Sequence, residues 1–198
     1  MNVCVFGSSS KSTNALYVEE SYTLGQLIAK AGLVCVNGAG RFGCMGGVND
    51  GCHSKGGKIK GIIHRQFCVD FKEHPIIKDL IIVDGADLYE RKLELFNNSD
   101  CLIVMPGGCG TFDEFWDGVS AKSLGMKDMD NKPICLANIQ GFYDGFIMQM
   151  QRARKDGILY HEVDEYFHVE DTAKGALDWC VTRKSCCITP YIILLLLH

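Results

Sequence analysis

The 198-residue sequence has little excess charge of either sign: 20 lysines and arginines against 24 aspartates and glutamates leave a net charge of −4. A chain that grips nucleic acid without regard to sequence needs a basic field, and none is present. No C-x-x-C pair occurs among the eleven cysteines, and the six histidines have no spacing that completes a zinc site. Cys4, Cys35, Cys101 and Cys135 each fall inside an apolar run, where a thiol behaves as a small buried hydrophobe. Unpaired thiols of that kind point to a reducing compartment, and so to a cytoplasmic location. The opening MNVCVFGSSS lacks a charged segment followed by an apolar one, so no signal peptide is expected. The apolar tail from Tyr191 to Leu197 is far short of the roughly 20 residues that span a membrane. A late strand, a subunit contact and an altered end all remain open for residues 186–198.

Linkers, repeats and low-complexity stretches are also missing, which leaves one domain over residues 1–185. Hydrophobic residues make up 47% of the chain and charged residues 22%, enough for a full core. Strand-like runs alternate with helical ones: NVCVF, LVCVN, KIKGIIH, DLIIVD, CLIVM and PICLA, with a short strand near Tyr166–Val169. Helices are expected at about Thr13–Ala31, Met45–Ser54, DLYERKLELFNN, FDEFWDGVSAKSLG, Tyr143–Lys155 and Ala173–Thr182. Strands apolar at every residue mean a parallel sheet covered on both faces. The pattern predicts a Rossmann-like, doubly wound α/β domain in three layers, α/β/α, with ligands beyond the carboxyl ends of the strands.

Three glycine-rich turns, GSSS, GAGRFG and PGGCGT, would share that edge. GAGRFG matches G-x-G-x-x-G, but it follows the second strand, and the next strand ends in His64 and Arg65 instead of an acid. Arg65 keeps an NADP-dependent oxidoreductase open as an alternative; a tight turn explains the glycines equally well. In MPGGCGTFDEFWDG, Gly107, Gly108 and Gly110 free the backbone to aim N–H groups at one point, before a helix start that adds its positive dipole end. No Gly-Lys-Ser/Thr follows, so a single phosphate fits better than a nucleoside triphosphate with magnesium. Glu114 has two readings. Thr111 to Glu114 spells a capping box, whereas periodicity turns Glu114 away from the core, toward solvent, ligand or another subunit. In DLYERKLELF, Lys92 falls within the apolar arc and Arg91 on its shoulder, a plausible anion or ribose site. Cys109 is a rival nucleophile at a helix start, or filler between glycines.

These residues together resemble the LOG family, the cytokinin riboside 5′-monophosphate phosphoribohydrolases, many of whose members carry a "lysine decarboxylase-like" label. PGGCGTFDE matches the family's P-G-G-x-G-T-x-x-E, DLYERK its D-M-H-x-R-K, and GAGRFGCMGGVNDG its G-G-G-x-x-G-L-M-G segment. The resemblance runs from about Val3 to the last helix. It implies a homodimer with active sites near the interface, and hydrolysis of a nucleoside 5′-monophosphate to free base and ribose 5-phosphate. It further implies Arg91 and Glu114 as the catalytic pair and Gly107, Gly108, Cys109, Gly110 and Thr111 around the phosphate. Lys92, Asp113, Glu73, Ser120, Ser8 and Gly40 are the remaining implied substrate contacts. No metal or organic cofactor is required. A non-catalytic nucleotide- or cofactor-binding protein of the same fold is the second alternative. Departures are Ala39 for a glycine, Cys44 for a leucine, His64 for a proline, and Leu88-Tyr89 for Met-His; the last pair bears on base preference.

Overall fold

The computed structural model describes residues 1–68, 73–126 and 129–195, those after Lys184 by their backbone alone. Seven parallel strands form one sheet: β1 (Asn2–Phe6), β2 (Val34–Asn37), β3 (Lys58–His64), β4 (Asp79–Val83), β5 (Cys101–Val104), β6 (Ile134–Ala137) and β7 (His168–Glu170). Their order is β4-β3-β2-β1-β5-β6-β7. The chain winds outward from β1 to β4, then returns to the other side of β1 with β5. The switch point, where ligands bind in such sheets, lies between β1 and β5.

Alternation along each strand divides the core. Val3, Val5, Cys35, Cys101 and Ile103 face one side, with α1 (Ala15–Lys30), α2 (Gly43–Ser54) and the first part of α7 (Ala173–Leu195). Cys4, Phe6, Val36, Leu102 and Val104 face the other, with α3 (Tyr89–Asn97), α4 (Cys109–Ser123), α5 (Asp144–Lys155) and the four-residue α6 (Val163–Tyr166). The three expected layers are present, and their apolar strands are buried on both faces as a parallel sheet requires.

Helices α1 and α2 pack closely because small residues line their contact. A Cβ at Gly51 would lie 1.9 Å from the Tyr22 carbonyl oxygen, and one at Gly25 2.1 Å from that of Val48. At the end of β2, Asn37 is fully buried and donates to Asn49 Oδ1 at 2.7 Å, while its own Oδ1 accepts from Ala39 N–H at 2.8 Å. Asn49 also donates to the Gly40 carbonyl at 3.1 Å. This buried amide pair fixes the turn in which Ala39 adopts φ of 61°, a left-handed conformation that a glycine takes more easily.

Three expectations change. α1 starts at Ala15, not Thr13, because Asn14 caps it by accepting from Leu16 N–H. The strand expected at Tyr166–Val169 starts at His168, since Glu162 and Glu165 close a capping box that turns Val163–Tyr166 into α6. The tail is not a late strand: α7 runs to Leu195, so its backbone groups bond within the helix rather than to a sheet edge. Residues 196–198 lie outside the described residues.

The close helix contact makes a prediction. Gly51→Ala drives a methyl into backbone that cannot rotate away, and should lower the unfolding free energy by about 2–3 kcal/mol in urea titration.

Candidate active site

The site is built where β5 ends. The Pro106 carbonyl accepts from Ser8 N–H at 3.0 Å, tying the turn after β5 to the turn after β1. Tyr143, fully buried, donates its hydroxyl to the Met105 carbonyl at 2.8 Å. Ser8 shares a hydrogen bond with Thr13 at 2.6 Å, and its carbonyl accepts from Met45 N–H. The first, second and last glycine turns are thereby laced together at the switch point.

Gly107 is buried against Thr111: a Cβ there would come within 2.2 Å of Thr111 Oγ1. Gly108, Cys109 and Gly110 are exposed, and a Cβ at Gly108 or Gly110 would meet nothing within 4 Å. Helix α4 begins at Cys109 with Gly108 as its N-cap, and no side chain caps it. Its first-turn N–H groups therefore have no intrahelical acceptor, the arrangement that receives an anion. The capping box is corrected by the same fact. The helix starts two residues before Thr111, so Thr111 is no N-cap and Glu114 does not close the helix end.

Glu114 instead meets Arg91. The guanidinium donates from one terminal nitrogen to Glu114 Oε1 at 3.3 Å and from Nε to the Ile62 carbonyl at 3.1 Å. Both side chains are nearly buried, 10% and 13% exposed. Gly38 leaves room for the guanidinium, since a Cβ there would lie 2.1 Å from its other terminal nitrogen. Burial raises the Glu114 pKa to about 7 against the opposing charge of Arg91. A carboxyl group held there is half protonated near neutral pH, the condition suited to general acid–base work.

The orientation of α3 differs from its expected arc. Arg91, Leu95 and Phe96 face inward, while Leu93 is exposed and Lys92 lies between. Lys92 pairs with Asp113 at 3.0 Å and Asp117 at 3.2 Å. Burial works against its charge, but the hydrogen bonds it donates to those two carboxylates prevail and its pKa is raised. Glu73 bridges to Gly40 in antiparallel fashion, and its Oε2 is buried without a hydrogen-bond partner among the described residues. Ser120 is exposed six residues beyond Glu114, about 9 Å along the helix and 120° around it, and does not join the pair. Arg65 forms a two-point pair with Asp84, its second bond 2.9 Å long, so its fork is already engaged.

Sequence reasoning missed Asn37, Asn49, Asp117 and the Tyr143 hydroxyl. A lone Asn closing the apolar run LVCVN was the available signal for the first; the others depend on long-range packing.

The fold and site define a doubly wound α/β protein with an uncapped, glycine-rich helix N-terminus and a shielded Arg–Glu pair at the switch point. Residues 45–180 match the family described as "Possible lysine decarboxylase", and the chain belongs to that family, which includes the LOG phosphoribohydrolases. It is 34% identical to a cytokinin riboside 5′-monophosphate phosphoribohydrolase of Arabidopsis thaliana, over 79% of this chain and 67% of the relative. An enzyme of the same name from Oryza sativa subsp. japonica is 28% identical over 87% of this chain and 69% of its own. Among solved structures, the molybdenum cofactor carrier protein of Chlamydomonas reinhardtii has a TM-score of 0.67 at 21% identity, covering 93% of this chain and 98% of that one. The molybdenum cofactor binding protein of Rippkaea orientalis has the same score at 19% identity, covering 91% and 95%. At such identities the likeness concerns the fold alone.

Two outcomes are expected. The Glu114 pKa is higher in the folded protein than the ordinary 4.5, so folding favours its protonated form. That contribution is complete below pH 4.5 and is lost as pH rises through about 7. Between pH 5 and 8 it should remove roughly 3 kcal/mol of stability, and Glu114→Gln should flatten that part of the profile measured by urea unfolding. Gly110→Ala should leave the melting temperature unchanged or higher, since alanine favours the helix, yet weaken ribose 5-phosphate binding at least about tenfold by calorimetry.

Proposed function

We propose that this protein hydrolyses the N-glycosidic bond of a nucleoside 5′-monophosphate, cytokinin riboside 5′-monophosphate or AMP, releasing free base and ribose 5-phosphate. The observation that carries the reading is the shielded Arg91–Glu114 pair, 3.3 Å apart and one helical turn beyond an open anion cradle. The family relationship to named phosphoribohydrolases supports it.

The chemistry follows from charge. As the base departs, positive charge grows on the anomeric carbon and ring oxygen of ribose. A carboxylate beside that centre stabilises the charge and takes a proton from the attacking water. Glu114 serves this role, and burial keeps bulk water from screening it. The phosphate, held by the amides of Cys109 to Thr111, anchors the other end of the sugar and converts binding energy into orientation. Arg91 orients the ribose or phosphate and holds Glu114 in place. The unpartnered Glu73 Oε2 suits a ribose hydroxyl as donor. Lys92, held by Asp113 and Asp117, sets the charge on the outer side of the pair.

A homodimer is part of this reading. Tyr89 and Leu93 leave α3 exposed on its outer side, 55% and 38%, beside Lys92 and the site. A second copy covering that face would shield the cleft and bring in residues, Ser120 among them, that one copy leaves apart. Non-catalytic cofactor binding is the second reading, prompted by the molybdenum cofactor carrier of similar fold. A pure carrier has no use for a half-protonated carboxyl beside the cradle. An NADP-dependent oxidoreductase is disfavoured by the engagement of Arg65 with Asp84.

The test is release of free base from AMP and N6-isopentenyl-AMP, followed by chromatography. Wild-type protein should release base, and Glu114→Gln should slow release by about 10²–10⁴-fold while still binding ribose 5-phosphate. Binding of both nucleotides without release by the wild type would transfer the assignment to the carrier reading.

A further inference from the structure

A groove of about 540 Å³ opens at the opposite edge of the sheet, where the strands β1 to β4 begin, far from the switch point. Its volume is in the range of small-molecule sites. Strand alternation places Lys58 and Lys60 on one face of β3, and Lys78 and His53 complete the rim. Against the three lysines stands a single lining carboxylate, Asp79. Asp79 is already taken up by Lys60 at 3.9 Å, and Lys60 also donates to Asn98 Oδ1 at 3.3 Å. The side chains of Lys58 and Lys78 have no hydrogen-bond or ion-pair partner among the described residues. Two such lysines line one groove in a chain of net charge −4.

Helix dipoles do not account for it. The carboxyl ends of α1 and α2 reach this edge, but Lys30 and Lys55 already stand at those ends, whereas Lys58, Lys60 and Lys78 belong to β3 and the segment before β4. The wall is firm, because Asn2 donates to the Asn98 carbonyl at 2.9 Å and its own N–H donates to Asp100 at 2.8 Å. Val34, which pairs with Lys58 in the sheet and so shares its face, and Ile76 give the groove an apolar lining. At Gly56 a Cβ would meet nothing within 4 Å, so that wall is open to an approaching group.

We propose that this groove is a second ligand site, taking a small organic phosphate. Its phosphoryl oxygens meet Lys58 and Lys78, and its flat apolar body lies on Val34 and Ile76. The cations supply affinity through charge-assisted hydrogen bonds; the apolar lining selects an organic body over inorganic phosphate. The inference is independent of the reaction proposed for the switch point.

The test is titration of the full chain with 1-naphthyl phosphate, followed by backbone amide NMR shifts. Saturable shifts at Gly56, Gly57 and Ile59 are expected, separate from any at Gly108 to Thr111. Lys58→Ala with Lys78→Ala, both exposed positions, should weaken only the first set by about tenfold or more. Inorganic phosphate should bind the groove more weakly than the naphthyl ester. Shifts confined to the cradle, an unchanged affinity in the double variant, or equal binding of inorganic phosphate would each overturn the proposal. So would saturation by a single-stranded oligonucleotide where naphthyl phosphate has no effect, which would assign the groove to nucleic acid.

Discussion

The candidate site depends on one buried cation. An arginine cannot shed its charge, so a guanidinium that is only 10% exposed must be met by acceptors or it destabilises the fold. The Ile62 carbonyl near the end of β3 takes one N–H and Glu114 on α4 takes another. Those two partners connect a strand and two helices that are far apart in sequence. Gly38 supplies the space, and the Asn37–Asn49 amides hold the turn that contains it. A side chain at position 38 would displace the far end of Arg91 from that space and so disturb the contacts that satisfy its buried charge.

The pair is held at some cost in stability. Removing a carboxylate from water raises its pKa, and Arg91 offsets only part of that rise, leaving Glu114 at about 7. A salt bridge in solvent leaves the acid below its ordinary value, as the exposed Asp84 is with Arg65. The contrast separates the two pairs: one lies in solvent and holds its carboxyl ionised, the other is shielded and leaves its carboxyl poised between forms. The left-handed Ala39 nearby is a further local cost, borne in the same turn that makes room for Arg91.

The fold was legible because its signals are local. Uniformly apolar strands, helical periods and glycine punctuation appear in the chain order, and six of the seven strands fall within about a residue of their expected places. β7 and α6 depart from expectation, since the capping box of Glu162 and Glu165 starts a helical turn that runs through Tyr166, where a strand was expected. The site was legible in part. The cradle declares itself through its glycines, but the Thr111–Glu114 spacing supports two geometries, and where α4 begins decides between them. The rotation of α3, which puts Arg91 inside and Leu93 outside, depends on packing against β3 that no period within nine residues fixes. Partners such as Asp117 and the Tyr143 hydroxyl come from sequence separations of 25 and 38 residues, beyond any local pattern.

The departures from the family pattern beside Arg91 can now be weighed by position. Tyr89 precedes Arg91 by two residues, about 200° around the helix, so within one copy the two side chains diverge. Arg91 turns inward and Tyr89 is 55% exposed, on the side of α3 that bears Leu93. Leu88 is the N-cap residue, its carbonyl accepting from Lys92 N–H at 3.0 Å. Neither change alters the acceptors around the guanidinium or the burial of Glu114. Leu88 and Tyr89 therefore leave the Arg91–Glu114 pair as it is. They change an outward surface of α3 beside Lys92, and under the proposed reading that is where a difference in the base accepted, or in the contact with a second copy, would arise.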